Sequence, residues 1–304
     1  MEIEKRKIQK IAGSYLITLP KSWVNQYNLK KGSEVWIRFE NDGNLKILPR
    51  IEELSKKEWS KIKYDRYIIR KISREYLFAS DVIEIVSERD IGRKEREEIA
   101  DFLKKLMNIE IIEEDSKRIV IENFGYRRMP MVQALRRMYL LTNNMLDDLI
   151  QKNKEGLENM DERDNIVDKF YFMIVMHTRT YLEQGLYTLP EKELTLLRCL
   201  DFRLASEKIE RIGDLLKKSA ELYEQIDDEI LNVLIEIKEE YKKAFFSFLS
   251  EDFNKACELW DKKEGIRKKL IELEERFENV EKLKLIQNIS QVYEHIVDIA
   301  DLVR

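Results

Sequence analysis

Carboxylates four residues apart recur along the C-terminal half of the chain: Asp164 and Asp168 in DNIVD, Glu210 and Asp214 in SEKIERIGDL, and Glu294 and Asp298 in SQVYEHIVDI. On a helix, residues four apart lie on one face, one turn above the other. Each pair therefore sets two like charges side by side, which is mildly destabilising unless a cation compensates. Oxygen-only ligation suits hard or intermediate cations, and helix bundles build such sites from acids on facing helices. The competing expectation is a solvated acidic face with Lys208, Arg211 and Lys217 as neighbours. Gly213 sits inside the same stripe, where a glycine costs about 1 kcal/mol of helix stability. Its expected compensation is the close approach of another backbone. His177 and His295 are the only histidines, and neither forms the ExxH arrangement of a di-iron bundle enzyme. His295 directly follows Glu294, so it is expected on another face.

The elements that must carry these acids follow from periodicity. Every apolar repeat after Phe124 is helical, with six amphipathic segments expected at about 129–153, 156–186, 190–224, 228–249, 251–275 and 278–304. Pro190 with Glu191 and Glu193 is a suitable start for the third. Matching motifs in the third and sixth segments predict a duplicated three-helix unit, with repeats at about 127–226 and 227–304. Residues 51–125 read as a small α/β module: a helix over LSKKEWSKIKYDRYIIRKISREYLF, a strand DVIEIVSE, a helix RKEREEIADFLKKL, and a hairpin around Asp115 and Ser116. No catalytic pairing is visible there, and the segment reads as a spacer. Between residues 5 and 50 of the head (1–50) the period is two, with strands in KIQKIAG, YLITLP, EVWIRFE and LKILP. They are split by Gly13–Ser14, by a short helix KSWVNQYNL, and by the turn Asn41–Asp42–Gly43. So little chain does not close a β core alone, which predicts dimerisation.

Composition sharpens the contrast. The chain has 304 residues, 38% of them charged, and a net charge of -4; residues 1–50 alone carry +5 and the rest -9. A basic head on an acidic body points to a polyanionic partner for the head. No apolar run approaches the roughly 20 residues of a membrane span, and MEIEKRKIQK has no apolar signal core, so a cytoplasmic protein without membrane insertion is expected. Cys199 and Cys257 have no CxxC spacing and read as small buried residues.

Over residues 127–304, LASEKIERIGDLLKKSAE, MDERDNIVDKF and VYEHIVDIADLV resemble the ExxxD signatures of PhoU-type phosphate-signalling proteins. The resemblance implies two three-helix bundles in tandem with divalent or trivalent metal, iron, zinc or magnesium, on the acidic stripes. Asp164, Asp168, Glu210 and Asp214 are then the candidate ligands in one repeat, and Glu294 and Asp298 in the other. The fifth helix keeps Glu264, but Lys268 stands one turn on where that pattern has aspartate. RKIQKIAGSYLITLPKSWVNQYNLKKGSEVWIRFENDGNLKILP is similar to the AbrB/SpoVT swapped-hairpin domain, which binds DNA as an intertwined dimer. That likeness makes Arg6, Lys7, Lys10, Ser14, Tyr15, Lys21 and Asn25 the candidate DNA contacts. Alternation places Arg6 with Ile8 and Lys10 on one strand face. Bacterial regulators of this class often carry arginine after the glycine and a pair of arginines in the helix. Here Ser14, Val24 and Asn25 stand instead, so no arginine fork reads guanine, and Asn25 and Gln26 are left to read adenine.

The expected fold is thus multidomain: a swapped-hairpin β-barrel head, an α/β spacer, and an all-α body of tandem three-helix bundles. The expected function is a homodimeric, non-enzymatic DNA-binding regulator of phosphate uptake. Two rivals follow from the same residues: an adaptor that binds a phosphate transporter or signalling kinase while the head only dimerises, and a metal-carboxylate hydrolase. The latter lacks histidines for an open catalytic site.

Overall fold

The computed structural model describes residues 5–39, 45–49, 58–125, 129–184 and 195–303. They form two compact units, Met1–Lys56 and Lys57–Arg304. In the first, β1 (Gln9–Ile11) and β2 (Ser14–Leu16) make an antiparallel hairpin, with Lys10 opposite Tyr15 and Ile11 opposite Ser14. The two-residue loop is Ala12–Gly13, one residue earlier than the expected Gly13–Ser14 break. Both residues have positive φ, 48° and 89°, as a type I′ turn requires to match the strand twist. α1 (Lys21–Gln26) follows Pro20, and β3 (Trp36–Phe39) pairs antiparallel with β4 (Leu45–Leu48). The expected turn at Asn41–Gly43 lies outside the described residues.

The two hairpins are separate two-stranded sheets, and no described residue of the head is buried. Ile8, Ile11, Tyr15, Ile17, Trp36, Ile37 and Leu45 all leave half or more of their surface open. Isolated hairpins are marginal in water. Among its described residues, the head therefore has two hairpins with open apolar faces and no core.

The second unit starts with the α/β module. The sheet order is β5 (Trp59–Lys63), β6 (Val82–Val86), β8 (Arg118–Asn123), β7 (Ile109–Glu114), with β5 parallel to β6 and the other pairs antiparallel. Of the long helix expected over residues 54–78, positions 54–57 lie outside the described residues; among the rest, WSKIK is a strand instead, and α2 (Ile68–Leu77) is helical. Trp59 and Ile62 fit a helical i, i+3 spacing, and Ile62 is the one residue of β5 turned into the core. Asp65 sets the boundary. Its carbonyl accepts from the Ile68 amide and its side chain accepts from the Tyr67 amide at 2.9 Å, the local bonding by which aspartate favours turns and helix starts. Ile68, Ile72 and Tyr76 of α2 and Ile99 and Leu103 of α3 (Arg93–Leu103) cover Ile83, Ile85, Ile119 and Ile121 of the sheet.

The helical body has its own core. α4 (Met131–Gln151), α6 (Met160–Gln184) and α7 (Leu196–Ala220) make one three-helix unit; α8 (Asp228–Ser250), α9 (Phe253–Arg276) and α10 (Val280–Ala300) make the other. α7 packs against α10, and α4 against α8, so the two repeats share one interior. Across that seam the Thr142 hydroxyl meets the Tyr241 hydroxyl at 2.7 Å, and Tyr139 stacks on Phe245 with centroids 4.0 Å apart. The second expected helix is split, because α5 (Lys154–Glu158) is a separate turn before α6. The expected helix start at Pro190 lies outside the described residues. α7 begins at Leu196, capped by Thr195, whose hydroxyl accepts from the Arg198 amide at 3.1 Å.

Two glycines answer differently to added bulk. At Gly156 a Cβ would overlap the Asp148 carboxylate, which is itself held by Asn153 Nδ2 at 2.7 Å and by Arg163. Gly156→Ala is expected to destabilise the chain by about 2 kcal/mol, the usual range for overpacking. At Gly213 a Cβ would lie 3.4 Å from Thr142 Cγ2, 3.6 Å from Asp164 Oδ1 and 3.8 Å from Val167 Cγ1. Those neighbours are side chains at ordinary contact distance, not the backbone expected there. Gly213→Ala should therefore leave stability unchanged or raise it by up to about 1 kcal/mol; urea unfolding of the two variants checks the contrast.

Candidate functional site

The acidic stripe of the first repeat is brought together by α6, whose acids are buried, and α7, whose Glu210 and Asp214 are half-buried. Asp164 and Asp168 are 1% and 5% exposed. Burial, the Asp214 carboxylate beside it, and the charges of Asp168 and Asp164 push Glu210 up to about 7, with Arg211 opposing. Burial likewise raises Asp164, against the pull of a hydrogen bond from Lys217. Two ammonium groups already lie on the stripe. Lys217 Nζ donates to Asp164 Oδ2 at 3.1 Å and pairs with Asp161 at 2.7 Å, while Lys105 Nζ donates to Asp168 Oδ2 at 2.7 Å. Burial opposes the charge of Lys105, but the bond to Asp168 and the charges of Asp168 and Asp164 together outweigh it, and its pKa is raised. Asp164 Oδ1 is left buried without a hydrogen-bond partner.

The second repeat's pair is split between neighbours. Glu294 takes a two-pronged bond from Arg267 of α9, with Nε to Oε1 at 2.7 Å, and Asp298 pairs with Lys208 of α7 at 2.8 Å. His295, expected on another face, comes back to this pair, with Nδ1 3.5 Å from Asp298 Oδ2. Lys268 is not the cation here, because it points outward to Glu272. No three Asp, Glu, His or Cys side chains among the described residues converge as metal ligands. As placed, the six candidate ligands Asp164, Asp168, Glu210, Asp214, Glu294 and Asp298 therefore do not fit a metal centre. Lys217, Lys105, Arg267 and Lys208 pair with Asp164, Asp168, Glu294 and Asp298, whereas among the described residues Glu210 has only Arg211 at 3.7 Å.

In the head the structure joins some of the candidate contacts and separates others. Lys10 and Tyr15 face each other across β1 and β2, with Nζ 5.6 Å from the ring centroid, a cation–π distance that holds the ammonium over the ring. Ser14 pairs with Ile11 and so belongs to the opposite face of the hairpin. Lys21 and Asn25 lie one turn apart on exposed α1. Arg6 and Lys7 precede β1 and are exposed.

Two exposed β hairpins precede two three-helix units with paired acids, the arrangement of an AbrB/MazE-like region ahead of a PhoU-like one. The particular matches agree: residues 8–55 match the family model described as antidote-toxin recognition MazE, bacterial antitoxin, and residues 135–223 match that of the PhoU domain. The PhoU match runs from α4 through α7, the first repeat. Searches of curated proteins and of solved structures returned no match to the chain. No helix among the described residues is long and apolar enough to cross a membrane.

Sequence reasoning found Lys208, Arg211 and Lys217 as neighbours of the acids but missed Lys105 and Arg267. Neither carries a local signal, since each reaches its carboxylate from another element.

Proposed function

We propose that this chain is a homodimeric DNA-binding transcriptional regulator of phosphate uptake, acting in the cytoplasm by binding rather than by catalysis. The carrying observation is the fusion: a head of net charge +5, with apolar faces that a single chain leaves open, on a PhoU domain. Monomeric proteins rarely expose apolar surface on that scale. A second copy covers it and doubles the positive charge presented to phosphates. The PhoU body then acts as the sensor, and a change there alters the affinity of the paired heads for their site. Partner signalling proteins or a phosphate transporter remain inputs to the body in this reading.

Titration of the full chain with duplex DNA from its own genome at low salt, followed by mapping of bound sites in phosphate-rich and phosphate-starved cells, tests the proposal. Absence of duplex binding removes it; occupancy at genes unrelated to phosphate removes its second half. Dimerisation has a separate test. Ile37 of β3 is 56% exposed in one chain, so Ile37→Asp should cost a lone chain almost nothing. In a shared barrel it buries an unpaired charge, which is strongly unfavourable. Sedimentation should show the variant at half the wild-type mass, with the helical content of residues 57–304 unchanged.

A further inference from the structure

The turn after α3 presents three consecutive side chains to three different places. Leu106 is buried in the core of the α/β module. Met107 packs against the core of the helical body, its amide held by the Tyr76 hydroxyl at 3.2 Å. Lys105, on the other side of Leu106, reaches the buried Asp168 of α6 at 2.7 Å. The backbone of the turn is fixed by Lys105 N to Phe102 O and Leu106 N to Leu103 O, each at 3.0 Å. Around this point Phe102 meets Phe172 of α6 edge-on, with centroids 6.2 Å apart, and the Arg179 guanidinium lies 5.6 Å from the Phe78 ring. The module is thus seated on the outer side of α6, with its lysine on the acidic stripe.

From this geometry we infer that Lys105 is a tethered cation: the α/β module plugs the acidic stripe of the PhoU repeat and, with Lys217, supplies the neutralising charge, so that stripe occupancy and module docking exclude any competing cation together. A segment that reads as a spacer in the sequence is then a coupling element. A carboxylate as buried as Asp168 is strongly disfavoured when it loses its partner, and a mobile multivalent ion must displace a side chain already held by the rest of the turn. The inference does not depend on DNA binding, and its test does not involve DNA.

The test uses the full chain, stripped of metal, with Mn2+ as the probe and hydrogen exchange as the second readout. Lys105→Met keeps the apolar stem and removes the charge, and Lys105→Arg keeps the charge. Wild type and Lys105→Arg are expected to show only weak Mn2+ binding, and Lys105→Met to bind Mn2+ at least about tenfold more tightly. Amides of residues 104–109 should exchange about tenfold faster in Lys105→Met than in wild type. Equal Mn2+ affinity in wild type and Lys105→Met overturns the inference. So does tight wild-type binding that Asp168→Asn abolishes, or unchanged exchange at residues 104–109. If Lys105→Met fails to fold, a Lys105→Arg chain that binds Mn2+ tightly still refutes it, and one that matches wild type in both readouts supports it.

Discussion

Reversing Lys10 and Lys21 to glutamate should abolish duplex DNA binding by the full chain, with affinity at about 0.1 M salt falling by at least about 100-fold. In a dimer the two substitutions remove four positive charges and add four negative ones on the surface proposed to face phosphate. Each phosphate contact contributes a slope of about -0.9 to the plot of log affinity against log salt. Loss of four contacts should flatten that plot by about 3 to 4, a change separable from general weakening. Lys10 is the more informative position, because its ammonium is held over Tyr15 and starts from a restricted set of rotamers. Asn25→Ala should behave differently. It removes a side chain able to bond adenine, so the salt slope stays and discrimination between sequences falls by about 1–3 kcal/mol. Fluorescence anisotropy at four salt concentrations separates the outcomes; an unchanged slope in the double variant means that this face does not meet DNA.

The helical body was readable because the apolar period of its six long helices runs for 20 or more residues each, and four of them start on a side-chain cap: Thr195, Asp227, Asp252 and Asn279 accept at the starts of α7, α8, α9 and α10. Short elements had no such redundancy. WSKIK offers only Trp59 and Ile62 as apolar residues, an i, i+3 spacing that reads as one helix face but places them on opposite sides of a strand, and its strand identity comes from pairing with β6, a tertiary fact. The hairpin loop slipped by one residue because Ala12 takes a left-handed conformation that its identity does not announce. In the candidate site the acids were visible through their spacing, whereas the cations were not. Lys217 lies on the helix of one acid pair, but Lys105 and Arg267 arrive from elsewhere: Lys105 from the turn after α3, in the module whose α2 packs on α6, and Arg267 from α9 packed on α10. The same separation explains why the lysines and the arginine paired with these acids were not legible from the acid spacing.

Glu210 makes the stability of the body depend on pH. Its carboxyl is pushed up from 4.5 to about 7, first by burial and then by Asp214, and its side chain is 16% exposed. Between those two values the native chain holds a proton at Glu210 that the unfolded chain does not. Stability linked to this proton is fully present below about pH 4.5 and is lost as pH rises through about 7. The full span amounts to about 3 kcal/mol, so above neutrality Glu210 is a buried anion beside another anion. Glu210→Gln should remove the dependence: equal to wild type near pH 5, and more stable by about 3 kcal/mol at pH 8.5 in urea unfolding. Asp214→Asn should act on the same group from outside, lowering the pH at which the wild-type loss occurs without abolishing it. If the difference between wild type and Glu210→Gln is the same at both pH values, Glu210 is ionised throughout, and the stripe is better compensated than its burial and neighbours imply.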